Sequence, residues 1–372
     1  MLSVFWVCGP PGVGKSSAGW RVFTGARSMR TAYVDIDQLG LRMPWPPADP
    51  DAHRLKHDGL AALVGALSSA GVERVVVSGI VRPEHAADFA AIAPGAVRFV
   101  RLRADLRVLT DRWLGRNPHL RDDVPRVREE ARHHDRGGFG EDVLDTTTLG
   151  RDEVAHRLRA LEESWRPEPV APVAQPHDPS SVAIPGVWLL GARAAGASTA
   201  GFEAMLRRSA TAPAAFIDLQ QFGFLRPEPA DAAAVRCAAV AAVAAVATTY
   251  RRHGARFLVV VGRPEPVGGV DALRAALSGV ELPVGVLRAS PAALAARLAD
   301  RIAGRAVHLA GDDLIGLSPG AARTVLERAI GEDARFAAGP PADFVVDTSS
   351  RTVGESAEAI LAAAELVKRT VS

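Results

Sequence analysis

The chain has 372 residues, which is enough for two domains with a sizeable core in each. Its formal net charge of +2 excludes the strongly basic character of a typical nucleic-acid-binding protein. No apolar stretch reaches the roughly 20 residues that span a bilayer, so we expect neither a nucleic-acid partner nor a membrane protein. Cys8 and Cys237 lack metal-ligand spacing and no signal-peptide pattern is present, which favours a cytoplasmic location.

Short apolar runs alternate with longer helical patterns along the first half of the chain. The runs are almost continuously apolar, which is typical of parallel strands covered on both faces. Strands are predicted over residues 2–8, 31–36, 73–79, 97–102 and 142–145, and helices over about 15–26, 54–70, 84–92, 105–115, 124–135 and 151–163. This alternation predicts a doubly wound α/β fold.

The second half of the sequence repeats the first. Five landmarks recur in the same order, pairing 4–9 with 187–191, 32–35 with 215–218, 75–79 with 258–262, 102–104 with 287–289 and 143–146 with 345–348. We therefore predict two similar domains, over residues 1–165 and 182–372, with an intramolecular pseudo-dimer as one possible arrangement. The prolines between them predict a semi-rigid linker over 166–181.

A glycine-rich loop lies between the first predicted strand and the first predicted helix. It fits the pattern G-x-x-x-x-G-K-[ST], with the residues Gly9, Pro10, Pro11, Gly12, Val13, Gly14, Lys15 and Ser16. Glycines let the backbone wrap a phosphate, and the following helix directs its positive end at the same group. Lys15 is one of only three lysines among 44 basic residues. We predict that residues 9–17, including Ser17, bind ATP, that Lys15 contacts its phosphates, and that Ser16 ligates Mg²⁺.

The corresponding loop of the second half keeps two glycines and the serine, but Ala197 stands at the lysine position. Without that cation, the negative charge that develops on a γ-phosphate loses its nearest ammonium group. We therefore predict that residues 182–372 keep the fold and have lost catalysis, as a pseudokinase. The alternative is that Arg193, inside the loop, replaces the lysine.

Two aspartates, Asp35 and Asp37, end the second predicted strand, at the edge where ligands of open α/β sheets bind. Their spacing places both on one side of the strand. We predict that Asp35 holds Mg²⁺ or its water beside the substrate, and that Asp37 takes the proton of an acceptor hydroxyl. The alternative is that Asp37 only caps the next helix. The second half supports the catalytic interpretation of Asp37. It keeps Asp218 in place of Asp35 but has Gln220 in place of Asp37, so the second aspartate is absent from the half that also lacks the loop lysine.

The third predicted strand ends in Ser78-Gly79, where motor-type ATPases place an aspartate for Mg²⁺. This difference favours a small-molecule kinase. Arg82 follows the strand and is a candidate for binding an anionic or hydroxyl-rich substrate. The alternative is a solvated loop arginine.

A lid is predicted after the fourth strand. Arg112 and Arg116 lie four residues apart on one helix face, and the arginine-rich segment 117–140 follows. We predict that one of these two arginines pairs with phosphate or stacks on adenine, with Arg116 assigned to the transferred phosphoryl group. The alternative is a solvated helix with internal ion pairs. His133 and His134 are expected at the surface.

With these residues the first half resembles the small P-loop kinases grouped around shikimate kinase, gluconate kinase, adenylylsulfate kinase and the chloramphenicol phosphotransferases. The resemblance rests on the loop at 9–16, the aspartate pair, the Ser78-Gly79 strand end, the arginine-bearing helix and Asp145-Thr146. It covers residues 1–163 well and 182–372 only as a fold. It implies a five-stranded parallel sheet, use of ATP and Mg²⁺, and contact between Asp37 and the acceptor hydroxyl, with Asp35 near the metal. Together with the internal repeat, it predicts two tandem three-layer α/β/α P-loop NTPase domains, although the second copy is not part of the enzymes of that family.

The sequence thus predicts an ATP-dependent phosphotransferase that acts on a hydroxyl of a small molecule. Specificity for this acceptor is predicted to lie in segments 38–58 and 80–95. One alternative is an ATP-binding regulatory module whose second half docks a partner. Another is a toxin-like kinase of a nucleotide sugar.

Overall fold

The computed structural model describes most of the chain as strands, helices and short connections. The described residues are 2–27, 29–116, 120–139, 142–167, 184–227, 232–262, 282–306, 311, 314–338 and 342–371. Most of the predicted linker, residues 168–181, lies outside them.

In the first half, the described residues form six strands and six α-helices. The strands are β1 (Ser3–Cys8), β2 (Thr31–Asp35), β3 (Arg42–Met43), β4 (Arg74–Ser78), β5 (Val97–Arg103) and β6 (Asp142–Asp145). The helices are α1 (Lys15–Gly25), α2 (His53–Ser69), α3 (Ala86–Ala90), α4 (Leu106–Arg116), α5 (Val124–Gly137) and α6 (Arg151–Ser164). The five predicted strands and six predicted helices are confirmed within a few residues, except that the helix expected over 84–92 is a 3₁₀ turn followed by the short α3. The two-residue β3 was not predicted.

In the second half, the described residues again contain six strands, together with five helices. The strands are β7 (Gly186–Gly191), β8 (Ala214–Asp218), β9 (Leu225–Arg226), β10 (Phe257–Val261), β11 (Val284–Arg288) and β12 (Phe344–Asp347). The helices are α7 (Ala197–Ser209), α8 (Ala232–Arg252), α9 (Pro291–Ile302), α10 (Pro319–Ala338) and α11 (Val353–Val371).

The strands form two six-stranded sheets with the same order. One sheet has the order β6-β5-β1-β4-β2-β9, and the other has the order β12-β11-β7-β10-β8-β3. All neighbours are parallel except for the last pair of each sheet, which is antiparallel. The predicted α/β class with two parallel-stranded sheets is confirmed. The five-stranded sheet implied by the family resemblance is extended here by a sixth, antiparallel edge strand.

Each of these edge strands comes from the other half of the sequence. The chain divides into two compact units: the first contains residues 1–40, 52–176 and 222–242, and the second contains residues 41–51, 177–221 and 243–372. The chain therefore enters the second unit for residues 41–51 and returns to the first unit for residues 222–242. One consequence is that the predicted specificity segment 38–58 is divided between the two units. Folding of 1–165 or 182–372 as independent domains stays a prediction.

The exchanged segments pack into the unit that they join. In the first unit, the ring of Phe224 lies 4.7 Å from that of Trp20, and the Tyr33 N–H donates to the Phe224 carbonyl at 3.4 Å. In the second unit, the Phe216 N–H donates to the Leu41 carbonyl at 2.9 Å, and Leu41 packs against the apolar core. In each unit, these contacts add hydrogen bonds and buried apolar side chains to the pairing of the edge strand. Both stabilise the position of that strand.

The central strands explain why the sheet edge can present a site. All six residues of β1 are buried, and β4 is buried along its whole length. Apolar contact on both faces fixes the register of these strands, so their carboxyl ends hold the following loops in defined positions. Among the described residues, we find no helix with both the length and the apolar character needed to cross a membrane.

Candidate active site

The glycine loop connects β1 to α1 at the carboxyl edge of the first sheet. Gly9 has φ of 137°, and a Cβ there would lie 2.3 Å from the carbonyl oxygen of Leu102 on the neighbouring strand. Gly14 precedes α1 with φ of 99°. Both positions favour glycine, the first also because of the close approach. The loop therefore has the conformational requirement that its sequence predicted.

The remaining predicted nucleotide-binding residues lie along this loop and the start of α1. Pro10, Pro11 and Val13 are buried within the loop, whereas Ser17 is exposed in the first turn of the helix. Lys15 Nζ donates to the carbonyl oxygen of Pro10 at 2.9 Å. The lysine side chain thus turns back over the loop, where its charge lies beside the glycine backbone.

Asp35 receives three hydrogen bonds at the end of β2. Its Oδ2 accepts from the Ser16 hydroxyl at 2.8 Å and from the Ser78 hydroxyl at 3.0 Å, and its Oδ1 accepts from the Asp37 N–H at 3.1 Å. Burial raises the pKa of Asp35, and the charge of Asp37 adds to this shift. The contact with Ser16 brings together the two residues that were predicted to hold Mg²⁺.

A second hydroxyl supports Ser78. Tyr33 and Ser78 lie 2.8 Å apart, oxygen to oxygen, and burial raises the pKa of the Tyr33 phenol. Because Ser78 donates to Asp35, Tyr33 can donate to Ser78 and complete a chain of hydrogen bonds. The Ser78-Gly79 strand end, which was interpreted only as the lack of an aspartate, therefore positions Asp35.

Lys56 is a site residue that the sequence analysis missed. Its Nζ lies 2.7 Å from Oδ1 of Asp37, and its side chain is only 18% exposed whereas that of Asp37 is 61% exposed. Desolvation would raise the pKa of Asp37, but the ammonium of Lys56 outweighs it and holds this pKa below its usual value. The scarcity of lysine was a signal for Lys56 as much as for Lys15, since both are among the chain's three lysines.

Arg82 contacts the predicted lid. Its guanidinium reaches the carboxylate of Glu130 on α5 at 3.3 and 3.4 Å. His134, whose Nε2 lies 3.5 Å from that carboxylate, and Arg82 together lower the pKa of Glu130 to about 2. Arg82 therefore links the segment after β4 to α5, and its binding of a substrate stays a prediction.

The two lid histidines occupy different environments. His133 is partly exposed and lies 2.8 Å from Glu84. His134 is fully buried, so the surface position expected for it is wrong. The buried face of α5 consists of Val127, Ala131 and His134, which follow one another at spacings of four and three residues.

Arg112 holds the loop after β6. Its guanidinium donates to the Thr146 hydroxyl at 3.0 Å and to the Thr146 carbonyl at 2.8 Å. In the second unit Arg297 makes the same pair of contacts with Thr348, at 3.0 and 2.5 Å. Because this interaction is present in both units, we infer that it stabilises the shared fold. Contact of Arg112 with phosphate stays a prediction, and the side chain of Arg116 lies outside the described residues.

The second loop keeps the backbone path of the first. Ser198 Oγ donates to Asp218 Oδ2 at 2.8 Å, as Ser16 does to Asp35. Ala194 has φ of 66°, a left-handed conformation that Gly12 supplies at the corresponding position of the first loop with φ of 81°.

The same loop differs from the first in its charges. Ala197 begins α7 where Lys15 begins α1. The backbone N–H of Arg193 donates to Oε2 of Glu332 at 3.2 Å, so a carboxylate of the chain itself lies against this loop. The second loop therefore lacks the lysine and has an anionic neighbour.

No family model and no curated protein matches this chain. Among solved structures it is similar to a gluconokinase from Sinorhizobium meliloti 1021, with 22% sequence identity and a TM-score of 0.31 over 42% of this chain and 90% of that chain. It is also similar to the tunicamycin resistance protein of Deinococcus radiodurans, with 19% identity and a TM-score of 0.35 over 45% of this chain and 99% of that chain.

A third similar structure is a shikimate kinase from Acinetobacter baumannii in complex with shikimate. It has 16% identity and a TM-score of 0.32 over 44% of this chain and 94% of that chain. Each of these three similarities spans less than half of this chain. At such values they assign no reaction to this chain.

Proposed function

We propose that the first unit transfers the γ-phosphoryl group of ATP to a hydroxyl of a small molecule. The observation that carries this proposal is the convergence of the glycine loop with two aspartates at one sheet edge. Ser16 Oγ lies 2.8 Å from Asp35, and the Asp37 N–H lies 3.1 Å from the same carboxylate. Phosphoryl transfer depends mainly on positioning and on charge stabilisation, and this arrangement offers both.

The residues present fit Mg²⁺. A hydroxyl and a carboxylate oxygen 2.8 Å apart are the hard oxygen donors that this ion prefers. Asp35, whose pKa is raised by burial, would be stabilised in its ionised form by an adjacent cation. When bound, Mg²⁺ would neutralise charge on the phosphate oxygens. Ser16 and Asp35 are the residues that we assign to holding it.

The side chains of the first unit have separate parts in the proposed reaction. The acceptor oxygen forms a bond to the γ-phosphorus, the bond from that phosphorus to the bridging oxygen of ADP breaks, and the acceptor proton passes to Asp37. Lys56 keeps Asp37 ionised and ready to accept this proton. Lys15 supplies positive charge beside the loop for the phosphates. A loose transition state needs little basicity, so a carboxylate with a low pKa is sufficient.

We propose further that the second unit has kept this fold as a pseudokinase. Ala197 and Gln220 stand where the first unit has Lys15 and Asp37. The carboxylate of Glu332, close to the Arg193 N–H, would repel a phosphate from the loop.

The test is acceptor-dependent ADP release by the full chain with ATP and Mg²⁺, across a panel of sugars, sugar acids, cyclic alcohols and hydroxyl-bearing antibiotics. Asp37→Asn should lower kcat with the active acceptor by at least about 10²-fold, while ATP affinity changes only a few-fold. Gln220→Ala, at the corresponding exposed position of the second unit, is the matched control and should retain full activity.

Two outcomes would contradict the proposal at different points. Loss of ATP binding in Asp37→Asn would show that this residue is not the base. Tight ATP binding without acceptor-dependent ADP release from any member of the panel would instead favour the ATP-binding regulatory module.

A further inference from the structure

Two histidines and an aspartate form a cluster in the first unit, away from the glycine loop in sequence. His53 is the first residue of α2, His85 ends the 3₁₀ turn after β4, and Asp88 lies in α3. The imidazole rings of His53 and His85 are stacked, with centroids 3.5 Å apart and planes 10° apart. His53 Nε2 lies 3.1 Å from Asp88 Oδ2.

The geometry points to a divalent transition-metal site formed by His53, His85 and Asp88, with Zn²⁺ as the representative ion. One nitrogen or oxygen atom from each of the three residues lies within 4.8 Å of the others. Because a metal lies in the plane of each imidazole that binds it, a single ion contacts all three residues once the two stacked rings rotate out of their parallel arrangement. Two imidazole nitrogens and one carboxylate are a donor set that suits zinc and its neighbours and differs from the all-oxygen set that Mg²⁺ prefers.

The surroundings of the cluster support binding of an ion. The ring of Phe89 packs edge-on against His53, with centroids 5.2 Å apart, and the His53 side chain is only 14% exposed. Asp88 is 59% exposed, so the cluster has an apolar wall on one side and access from solvent on the other.

Other potential donors nearby are already engaged. His57 lies one turn after His53, and its Nδ1 is 2.9 Å from Asp58. Glu84 precedes His85, and its Oε2 is 2.8 Å from His133. The site would therefore have three ligands from the chain, which leaves a coordination position for solvent or for an acceptor group.

A bound ion would join the start of α2 to the segment that follows β4. Lys56 lies three residues after His53 on α2 and contacts Asp37 at 2.7 Å. An ion at the cluster would thus fix the helix turn that positions Lys56. This consequence for catalysis rests on the proposed function, but binding of the ion does not.

The experiment uses the untagged full chain, freed of metal with a chelator and titrated with Zn²⁺ in the absence of ATP. Calorimetry should show one strong site per chain, and Co²⁺ should give a visible absorption band characteristic of nitrogen and oxygen ligands. His53→Ala, His85→Ala and Asp88→Asn should each weaken Zn²⁺ binding by at least about tenfold. His156→Ala, an exposed histidine on α6, is the matched control and should bind as the unchanged chain does.

Asp35→Asn separates this site from the proposed kinase site. It should abolish phosphoryl transfer and leave Zn²⁺ affinity unchanged. Circular dichroism of each variant identifies any loss of fold, and His53→Gln provides a milder change if His53→Ala unfolds. Absence of Zn²⁺ binding would overturn the proposal. Binding that persists in all three ligand variants would also overturn it, because the ion would then lie elsewhere.

Discussion

The two glycine loops of this chain share a backbone conformation and differ in their side chains. Both follow a buried strand, both have a glycine of similar φ before the next helix, and in both a serine hydroxyl donates to an aspartate at 2.8 Å. The first loop continues into Lys15, and an aspartate that contacts Lys56 follows β2. The second loop continues into Ala197, and Gln220 stands in place of the aspartate.

This difference separates the residues that maintain the fold from those that are candidates for chemistry. Contacts found in both units, such as that of Arg112 with Thr146 and that of Arg297 with Thr348, do not depend on Lys15 or Asp37. Features confined to the first unit are Lys15, Asp37 and the ion pair between Asp37 and Lys56. The comparison therefore supports the proposed reaction at these three residues more directly than the loop pattern alone.

The largest effect is expected from Lys15. Lys15→Ala should lower kcat/KM for phosphoryl transfer by about 10³-fold, because the developing charge on the phosphoryl group loses its nearest cation. Steady-state kinetics with the active acceptor measures this loss.

The reverse change in the other loop provides the control. Ala197→Lys should give no measurable gain in ATP binding or transfer, because Gln220 and the carboxylate of Glu332 remain. A second catalytic site in Ala197→Lys would mean that the lysine is the only functional difference between the loops.

A smaller effect is expected from Lys56. Its ammonium lowers the pKa of Asp37, so the ionised base persists to a lower pH than that of an ordinary aspartate. Lys56→Met should raise the pKa of Asp37 and move the acid limb of the kcat/KM profile to higher pH, so that activity is lost earlier on acidification. Arg54→Met, on the same turn of α2, is the control and should leave the limb in place. An unmoved limb in Lys56→Met would show that Asp37 is not the group that titrates.

The overall fold was predictable because β1, β2 and β4 are mostly apolar runs long enough to recognise. The exchanged edge strands were not predictable, since β3 and β9 have two residues each and two residues carry no periodicity. Their pairing also joins residues more than 170 positions apart, such as Met43 with Ala214. Such a contact depends on how a whole unit folds and leaves no local signal.

The candidate site was predictable to the extent that sheet geometry determines it. Asp35 ends β2, and Ser16 lies in the first turn of α1, after the loop that follows β1. Because both lie at the carboxyl edge of the parallel sheet, sheet geometry brings them together. The contact between Lys56 and Asp37 depends on the direction of α2, which no residue pattern specified. The helical spacing of His134 with Val127 and Ala131 indicated that it would be buried. Its polar character led instead to the expectation of a surface position.

The smallest effect concerns the backbone strain that the second loop retains. Ala194 has φ of 66°, where an L-residue is less stable by roughly 1–2 kcal/mol than in the right-handed region. Ala194→Gly removes this strain. The glycine also makes the unfolded chain more flexible, which lowers the free energy of unfolding by roughly 0.5–1 kcal/mol. We expect a net gain of about 0.5 kcal/mol in the free energy of unfolding, measured by urea denaturation. Ala195→Gly, at a buried neighbour without positive φ, should instead lower stability, and equal losses in both variants would contradict the strain at Ala194.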